Sequence, residues 1–398
     1  MMYKFSDRIK DLSGTATREI LKLTKRADVI SFAGGMPATE CLPCDIIAQV
    51  TADILGGSRA ASVLQYGQTE GCAELTEQLI VYLSSLGIQT QADGVQVVSG
   101  GQQGLDLMCK AFVNTGDTVL VEDPTYLAFL QIAKTYQANI VGVKADTDGL
   151  VLSDLEAKLK KYSPKLLYTV PTFSNPTGKT YTAENRKDIL RLCEKYGTII
   201  IEDDPYGRLR YDGADVPPLK TFDKSGSVVY VTSFSKTVAP GLRVALCTGA
   251  PEVIRKVSIG KQGADVQSPA LCQMIVAEYL KREYFDTVLK KSIELYKRRK
   301  DAMIYALEKY MPSEAEFTRP NGGLFIWAEL PQYIDTSELL HEAISRNVAF
   351  ISGKEFFADG SGRNTMRLNF SNSDESRIDR GISVLAELIK GKIKENRQ

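Results

Sequence analysis

An α/β fold with a largely parallel central sheet sandwiched by helices, followed by a smaller α+β unit, is the architecture this sequence predicts. Three observations point to it. Short β-rich runs alternate with helical patterns through the middle of the chain. Long helical patterns then run from about Pro269 to Tyr310. After Pro320-Asn321-Gly322-Gly323 the texture becomes strand, helix, strand, helix. Strand–helix alternation implies parallel strands joined by crossover helices.

The elements follow in order. Val95–Val98, Thr118–Val121, Asn139–Val143, Lys165–Val170, Thr198–Ile201, Val228–Val231 and Val244–Thr248 read as strands, being short, apolar and rich in β-branched residues. Gln102–Val113, Tyr126–Tyr136, Ser153–Tyr162 and Thr182–Tyr196 carry helical periodicity between several of them. Near the C-terminus, Leu324–Ala328 and Met366–Phe370 read as strands, and Thr336–Arg346 and Asp374–Ile393 as helices. At 398 residues the chain is too long for one ordinary domain and fits two. The expected division is a large domain over 50–285, with 1–49 and 286–398 forming an N-terminal arm and a small C-terminal domain.

Composition narrows the function. Lys+Arg and Asp+Glu both number 49, so no net charge draws the chain to nucleic acid or an anionic membrane. The first twelve residues lack an apolar core for a signal peptide, and no run of 18 apolar residues exists. Seven scattered cysteines suit reduced thiols and a cytoplasmic location. Cys41-Leu42-Pro43-Cys44 has CxxC spacing, but no second pair completes a metal site, so no metal is expected. His341 is the only histidine. Catalysis by Ser-His-Asp or Cys-His needs a placed imidazole, so another group must move protons if this is an enzyme.

Ligands of open α/β sheets bind beyond the carboxyl ends of the strands. After Val98 comes Ser99-Gly100-Gly101-Gln102-Gln103-Gly104, a small-residue turn opening a helix and able to cradle an anion. It is not a dinucleotide fingerprint, because G-x-G-x-x-G is absent. After Val121, Tyr126 could stack on a flat ring. After Val170, Asn175 in Asn175-Pro176-Thr177-Gly178 could donate to a ring oxygen, although the same residues suit a plain turn. Gly178-Lys179-Thr180 mimics a phosphate-binding loop, but Phe173 stands where that loop needs glycine.

After Ile201 comes Glu202-Asp203-Asp204-Pro205-Tyr206. A carboxylate leaving a buried strand can pair with a protonated pyridine nitrogen, and Tyr206 could reach the phenolic oxygen of the same ring. After Val231 comes Ser233-Phe234-Ser235-Lys236-Thr237-Val238-Ala239-Pro240-Gly241-Leu242-Arg243. Alone, such a lysine is more often a surface residue. Among these neighbours its amine is suited to condense with an aldehyde, while the serines and Arg243 suit a phosphate. Lysine, phosphate cup, carboxylate and phenol ligands together point to pyridoxal 5'-phosphate (PLP).

With these residues assembled, the chain resembles the fold-type I, class I/II PLP-dependent aminotransferases, and within them the 2-aminoadipate and kynurenine branch. NPTG, EDDPY and SFSKTVAPGLR occur in the family's order and spacing. The likeness runs from Thr17-Arg18-Glu19-Ile20-Leu21-Lys22 to Met366-Arg367-Leu368-Asn369-Phe370-Ser371. The resemblance implies that Lys236 forms the Schiff base, that Asp203 partners the ring nitrogen, and that Tyr206 and Asn175 hold the phenolic oxygen. It implies that Gly101, Gln102, Ser233, Ser235 and Arg243 form the phosphate cup and that Tyr126 stacks on the ring. Tyr66 would reach the phosphate of a neighbouring subunit, which implies a homodimer with shared active sites. Arg367 would clamp the substrate α-carboxylate beside Gly35. Arg18, on the family's mobile N-terminal segment, would greet a distal carboxylate.

The chain departs from the pattern at Gly101, where relatives often carry serine or threonine. Some members carry an N-terminal winged-helix domain that binds DNA, and the catalytic-type segment here begins by residue 31, so none is expected. The implied activity is ping-pong amino transfer in amino-acid metabolism, from a 2-aminoadipate, aromatic or branched-chain donor to a 2-oxo acid such as 2-oxoglutarate. A PLP lyase or decarboxylase, or a ligand-sensing protein, are the alternatives on the same scaffold.

Overall fold

The computed structural model describes residues 3–10, 12 and 28–397. Its strands, in chain order, are β1 (Ile30–Ser31), β2 (Val95–Val98), β3 (Thr118–Asp123), β4 (Asn139–Lys144), β5 (Leu166–Thr169), β6 (Ile199–Asp203), β7 (Val228–Ser233) and β8 (Ala245–Thr248). They continue with β9 (Glu316–Phe317), β10 (Phe325–Glu329), β11 (Val348–Ala349), β12 (Ile351–Ser352) and β13 (Thr365–Asn369).

Seven strands form one sheet in the order β2-β8-β7-β6-β5-β3-β4. β4, β3, β5, β6 and β7 run parallel, and β8 runs antiparallel to both neighbours, β7 and β2. Successive strand residues face opposite sides, which sets the layers. Leu120, Leu167 and Ile200 pack with Leu155, Leu159 and Ile189 of the helices Leu152–Tyr162 and Ala183–Tyr196. Val119, Val121, Leu166, Tyr168 and Ile201 join the core that holds Leu105, Met108, Phe129 and Ala133 of the helices Gly101–Phe112 and Leu127–Thr135. Both faces are therefore covered, as a parallel sheet requires.

Side chains start several helices where the sequence has cap residues. Thr182, Asp335 and Asp374 each accept a backbone N–H of the following turn. The helical pattern over 269–310 is two helices, Ala270–Lys281 and Tyr284–Tyr310, because Glu283 turns the chain in the left-handed region at φ 58°. The second sheet, ordered β12-β13-β10-β9, is antiparallel throughout, and β1 pairs parallel with β11. β10 and β13 are the two strands read from the sequence here, whereas β1, β9, β11 and β12, two residues each, are too short for their period to show. The segment after β1 is held to this smaller unit where Asn369 N donates to Phe32 O at 2.8 Å, and three residues on it meets the residues beyond β7, where Lys236 Nζ donates to Gly35 O at 2.6 Å.

Candidate active site

The sheet's register gathers the site. Val98 of β2 and Ser233 of β7 both pair with Ala245 of β8, and Asp203 of β6 pairs with Val231. Because β8 runs backwards, the residues ahead of it lie at the same edge as the carboxyl ends of β2, β6 and β7. Gly101, Asp203, Ser233 and Arg243 thus meet although they are far apart in the chain. Together with Asn175, Tyr126 and Lys236 they line a cavity of about 580 Å³.

One end of the cavity is an anion cradle. Ser233 Oγ lies 2.8 Å from Ser235 Oγ, and Arg243 reaches the Ser235 hydroxyl and the Ser99 carbonyl at 3.4 and 3.3 Å. Arg243 itself sits at φ 54°, a costly conformation for a non-glycine residue that is common at functional sites. Gly100 turns into the helix at φ 88°, and a Cβ there would lie 1.9 Å from Arg243 Nη2. Only glycine permits both the turn and the guanidinium's approach. At Gly101 a Cβ would meet nothing nearer than 3.8 Å, so a side chain has room there and this chain relies on backbone donors and the helix N-terminus.

Lys236 lies deeper. Its Nζ donates to the Gly35 carbonyl at 2.6 Å. Burial and the Arg367 and Arg243 charges bring its ammonium down to about 8, within reach of a working general base. Asp203 is buried, and its single strong donor is the Tyr168 hydroxyl at 2.7 Å. Burial raises its carboxyl to about 7. The Tyr168 ring stacks on Phe129 with centroids 3.8 Å apart, which fixes the hydroxyl.

The smaller unit supplies the opposite wall. Arg367 of β13 projects between Phe325 and Phe356, 4.2 and 5.1 Å from their ring centres. Its Nη1 donates to Asn175 Oδ1 at 2.8 Å and its Nη2 to the Ala33 carbonyl at 2.6 Å. Burial lowers the guanidinium to about 10. The Asn175 side chain also bonds Tyr206, whose hydroxyl is pushed up by burial. Phe325 meets Tyr206 edge-on at 5.8 Å. A Cβ on Gly35 would lie 2.8 Å from Phe325, so glycine lets the 33–36 segment close onto that ring.

Lys236, Asp203, Tyr206, Asn175, Tyr126, Gly101, Gln102, Ser233, Ser235, Arg243, Arg367 and Gly35 all line this cavity. Tyr66 does not, and it is 82% exposed. Arg18 lies outside the described residues. Sequence reasoning missed Tyr168, Phe325 and the Ala33–Met36 carbonyls. For Tyr168 a signal existed: a phenol one residue from the end of β5, following two leucines, needs a partner at that end. Phe325 carried none, since an aromatic in a strand is usually core.

The set fits PLP by its own chemistry. Serine hydroxyls, Arg243 and helix N–H groups suit a phosphate. Asp203, buried without a cation, suits a protonated ring nitrogen. Arg367 Nε, buried and without a partner among the described residues, suits a carboxylate at the other wall. Among the described residues no group of three or more His, Cys, Asp or Glu side chains gathers to hold a metal, and no helix is long and apolar enough to cross a membrane.

Comparison with known proteins gives the same picture. The profile of the family "Aminotransferase class I and II" matches residues 27–385. The chain is 42% identical over 397 residues to aromatic-amino-acid aminotransferase 1 of Thermococcus litoralis, covering 98% of this chain and 95% of that one. It is 37% identical to the 2-aminoadipate transaminase of Thermus thermophilus, over 96% and 95% of the two chains. The crystal structure of a multiple substrate aminotransferase from Thermococcus profundus superposes with a TM-score of 0.94 at 40% identity, over 98% of each chain. That of the Thermus thermophilus α-aminoadipate aminotransferase, complexed with N-(5'-phosphopyridoxyl)-L-leucine, gives 0.91 at 36% identity, again over 98% of each.

Proposed function

Since the chain belongs to the class I and II aminotransferases, which use PLP, we propose that it moves an amino group from an aromatic or 2-aminoadipate-type L-amino acid to 2-oxoglutarate. The observation that carries this reading is the meeting of Lys236, Asp203 and Arg367 in one cavity, where among the described residues no carboxylate is ion-paired with either cation. When bound, PLP supplies the aldehyde that takes up the amino group and a ring that accepts the electron pair from the α-carbon.

The chain's residues supply the rest. Lys236 Nζ would hold the aldehyde carbon and, once released by a substrate amine, take the α-proton as general base. Its lowered basicity suits that task near neutral pH. Asp203 would keep a proton on the ring nitrogen, and Tyr206 and Asn175 would hold the phenolic oxygen, with Tyr126 stacked on the ring. Gly101, Gln102, Ser233, Ser235 and Arg243 would hold the phosphate. Arg367 would clamp the α-carboxylate with two parallel N–H bonds, beside Gly35. Because one clamp serves donor and acceptor alike, the first 2-oxo acid leaves before the second enters, in ping-pong order.

The working form is a homodimer with a domain division at 50–285. Tyr66 supports this: an exposed tyrosine outside its own cavity suits a phosphate across an interface. The distal carboxylate of 2-oxoglutarate or aminoadipate needs a second cation, and Arg18 is assigned that role.

The test is direct. The purified protein should show the absorbance of bound PLP and convert amino acids with 2-oxoglutarate as acceptor. Borohydride should fix the cofactor to the peptide containing Lys236; labelling at another lysine would overturn the assignment. Arg18→Ala should raise KM for 2-oxoglutarate and aminoadipate while sparing aromatic donors. Equal loss on all substrates would remove Arg18 from that role.

A further inference from the structure

The reading above leaves unused a fully buried lysine behind the anion cradle. Lys261, at the end of the helix Pro251–Gln262, has no solvent exposure. Its Nζ donates to both oxygens of Asp265 at 2.7 and 2.9 Å and to Gln103 Oε1 at 2.9 Å. A buried charge is retained only where its hydrogen bonds are complete. Asp265 Oδ2 also accepts from Ser99 Oγ at 2.9 Å and Gln103 Nε2 at 2.7 Å. Gln103 Oε1 accepts from the Ser99 N–H at 2.7 Å, and Ser99 Oγ lies 2.9 Å from Ser268 Oγ. The turn into the cradle, Ser99 onward, is thus tied at backbone and side chain to the 261–268 segment.

The same segment reaches the other way. The Gln267 side-chain carbonyl accepts from the Gly67 N–H, beside Tyr66. Gln273 bonds the Ser268 carbonyl at 2.7 Å and the Cys72 N–H at 2.8 Å. Between Asp265 and Gln267, Val266 stands at φ 65°. A β-branched residue is a rare outlier there and persists only where its surroundings over-determine it.

We infer that residues 261–268 are a positioning bracket: one run of backbone sets both the chain's own anion cradle, through Lys261 and Asp265, and the Tyr66 loop, through Gln267. This rests on the proposal that Tyr66 serves the neighbouring subunit's phosphate. In the dimer the bracket ties cofactor anchoring in one site to anchoring in the other. Neither Asp265 nor Gln267 touches the cavity, so their effect falls on cofactor affinity and not on the α-carboxylate clamp.

The experiment measures the dissociation constant for PLP of the full-length dimer by absorbance titration, and KM for an aromatic donor at saturating PLP. Asp265→Ala should raise the PLP constant about tenfold or more, and Gln267→Ala about threefold or more, with KM for the donor within twofold of wild type. A PLP constant within twofold of wild type for either variant overturns the bracket, as does a KM rise matching the loss of affinity. Asp265→Ala strands the Lys261 charge and could fail to fold, so a Lys261→Met/Asp265→Ala double variant removes both charges. The same rise in the double variant supports the bracket, and a return to the wild-type constant overturns it. Tyr66→Phe separates the premise. If it weakens PLP while Gln267→Ala does not, the bracket alone is wrong; if it leaves PLP binding unchanged, the lending of Tyr66 is wrong.

Discussion

Two of the cavities among the described residues have nearly equal volumes, about 590 and 580 Å³, and each has a buried carboxylate from a strand end on its wall. They differ in what those carboxylates hold. Glu122, on the larger cavity, accepts from Val170 N at 3.1 Å, Ser174 Oγ at 3.2 Å, Thr169 Oγ1 at 3.4 Å and the Tyr181 hydroxyl. Its oxygens are saturated by the β5 end and the loop that carries Asn175, so it acts as a bolt between β3 and that loop. Asp203 accepts one strong bond, from Tyr168, and faces a cavity where Lys236 and Arg367 also lack ionic partners among the described residues. Volume does not mark the site. Charge left without a counter-charge by the protein itself does, because such burial is costly unless a ligand completes it.

The largest effect that tests this contrast is at Lys236. Lys236→Ala should cut transamination roughly a thousandfold or more, since proton transfer alone contributes about 10²–10⁴-fold. Steady-state assays with PLP in excess measure it, and residual activity within tenfold would make Lys236 as structural as Glu122.

Asp203→Ala should cost nearly as much. A charge-assisted hydrogen bond contributes about 1.5–3 kcal/mol, or roughly 10–100-fold, and loss of the protonated ring adds to it. The same residue makes a pH prediction for the protein without cofactor. Its folded carboxyl stands at about 7 against an ordinary 3.8. The folded state therefore holds the extra proton between those values, and stability falls as pH rises through that window. Asp203→Asn should make the cofactor-free protein more stable at pH 8, by on the order of 3 kcal/mol, with no difference below about pH 4. Thermal melts at the two pH values measure it; a destabilised variant at pH 8 would show that Asp203 is satisfied without ligand.

Tyr168→Phe removes the one donor but leaves the ring stacked on Phe129. Activity should fall about three- to tenfold, as for the net contribution of one ordinary hydrogen bond, with the fold intact by circular dichroism. A loss equal to that of Asp203→Ala would mean that Tyr168 does more than position the carboxylate. The smallest effect is expected at Glu122. Burial holds its carboxyl up at about 8, so Glu122→Gln keeps a near-neutral group that still accepts. Turnover should stay within about threefold of wild type. A larger drop would dissolve the contrast between the cavities.

Much of the large sheet's half of the site was legible because it is local. Asp203, Lys236 and Asn175 follow apolar strands by a few residues, and a parallel sheet delivers strand ends to one edge. The arrangement could be read without knowing the strand order. The rest depended on contacts that leave no periodic trace. Arg367 entered only through family likeness; nothing in β13 announces that its guanidinium meets Asn175, 192 positions away, or Ala33, 334 away. The helices Cys44–Gly56, Ala73–Ser85 and Pro251–Gln262 went unassigned beforehand. Their apolar faces are set by the partners they cover more than by local pattern.

Local chemistry, then, was determined by the sequence alone: which residue types end each strand, where glycine must turn the chain at Gly100, and that one lysine stands among phosphate-type ligands. Only the tertiary structure decided which charges would be compensated. Glu122 and Asp203 stand at the carboxyl ends of β3 and β6, the two strands that flank β5, with the same functional group, and both are buried. One is bonded by Tyr181 and a loop brought from elsewhere, and the other is aimed at open space beside Lys236. Desolvation depends on everything packed around a group, and that surrounding is a property of the fold rather than of any stretch of sequence.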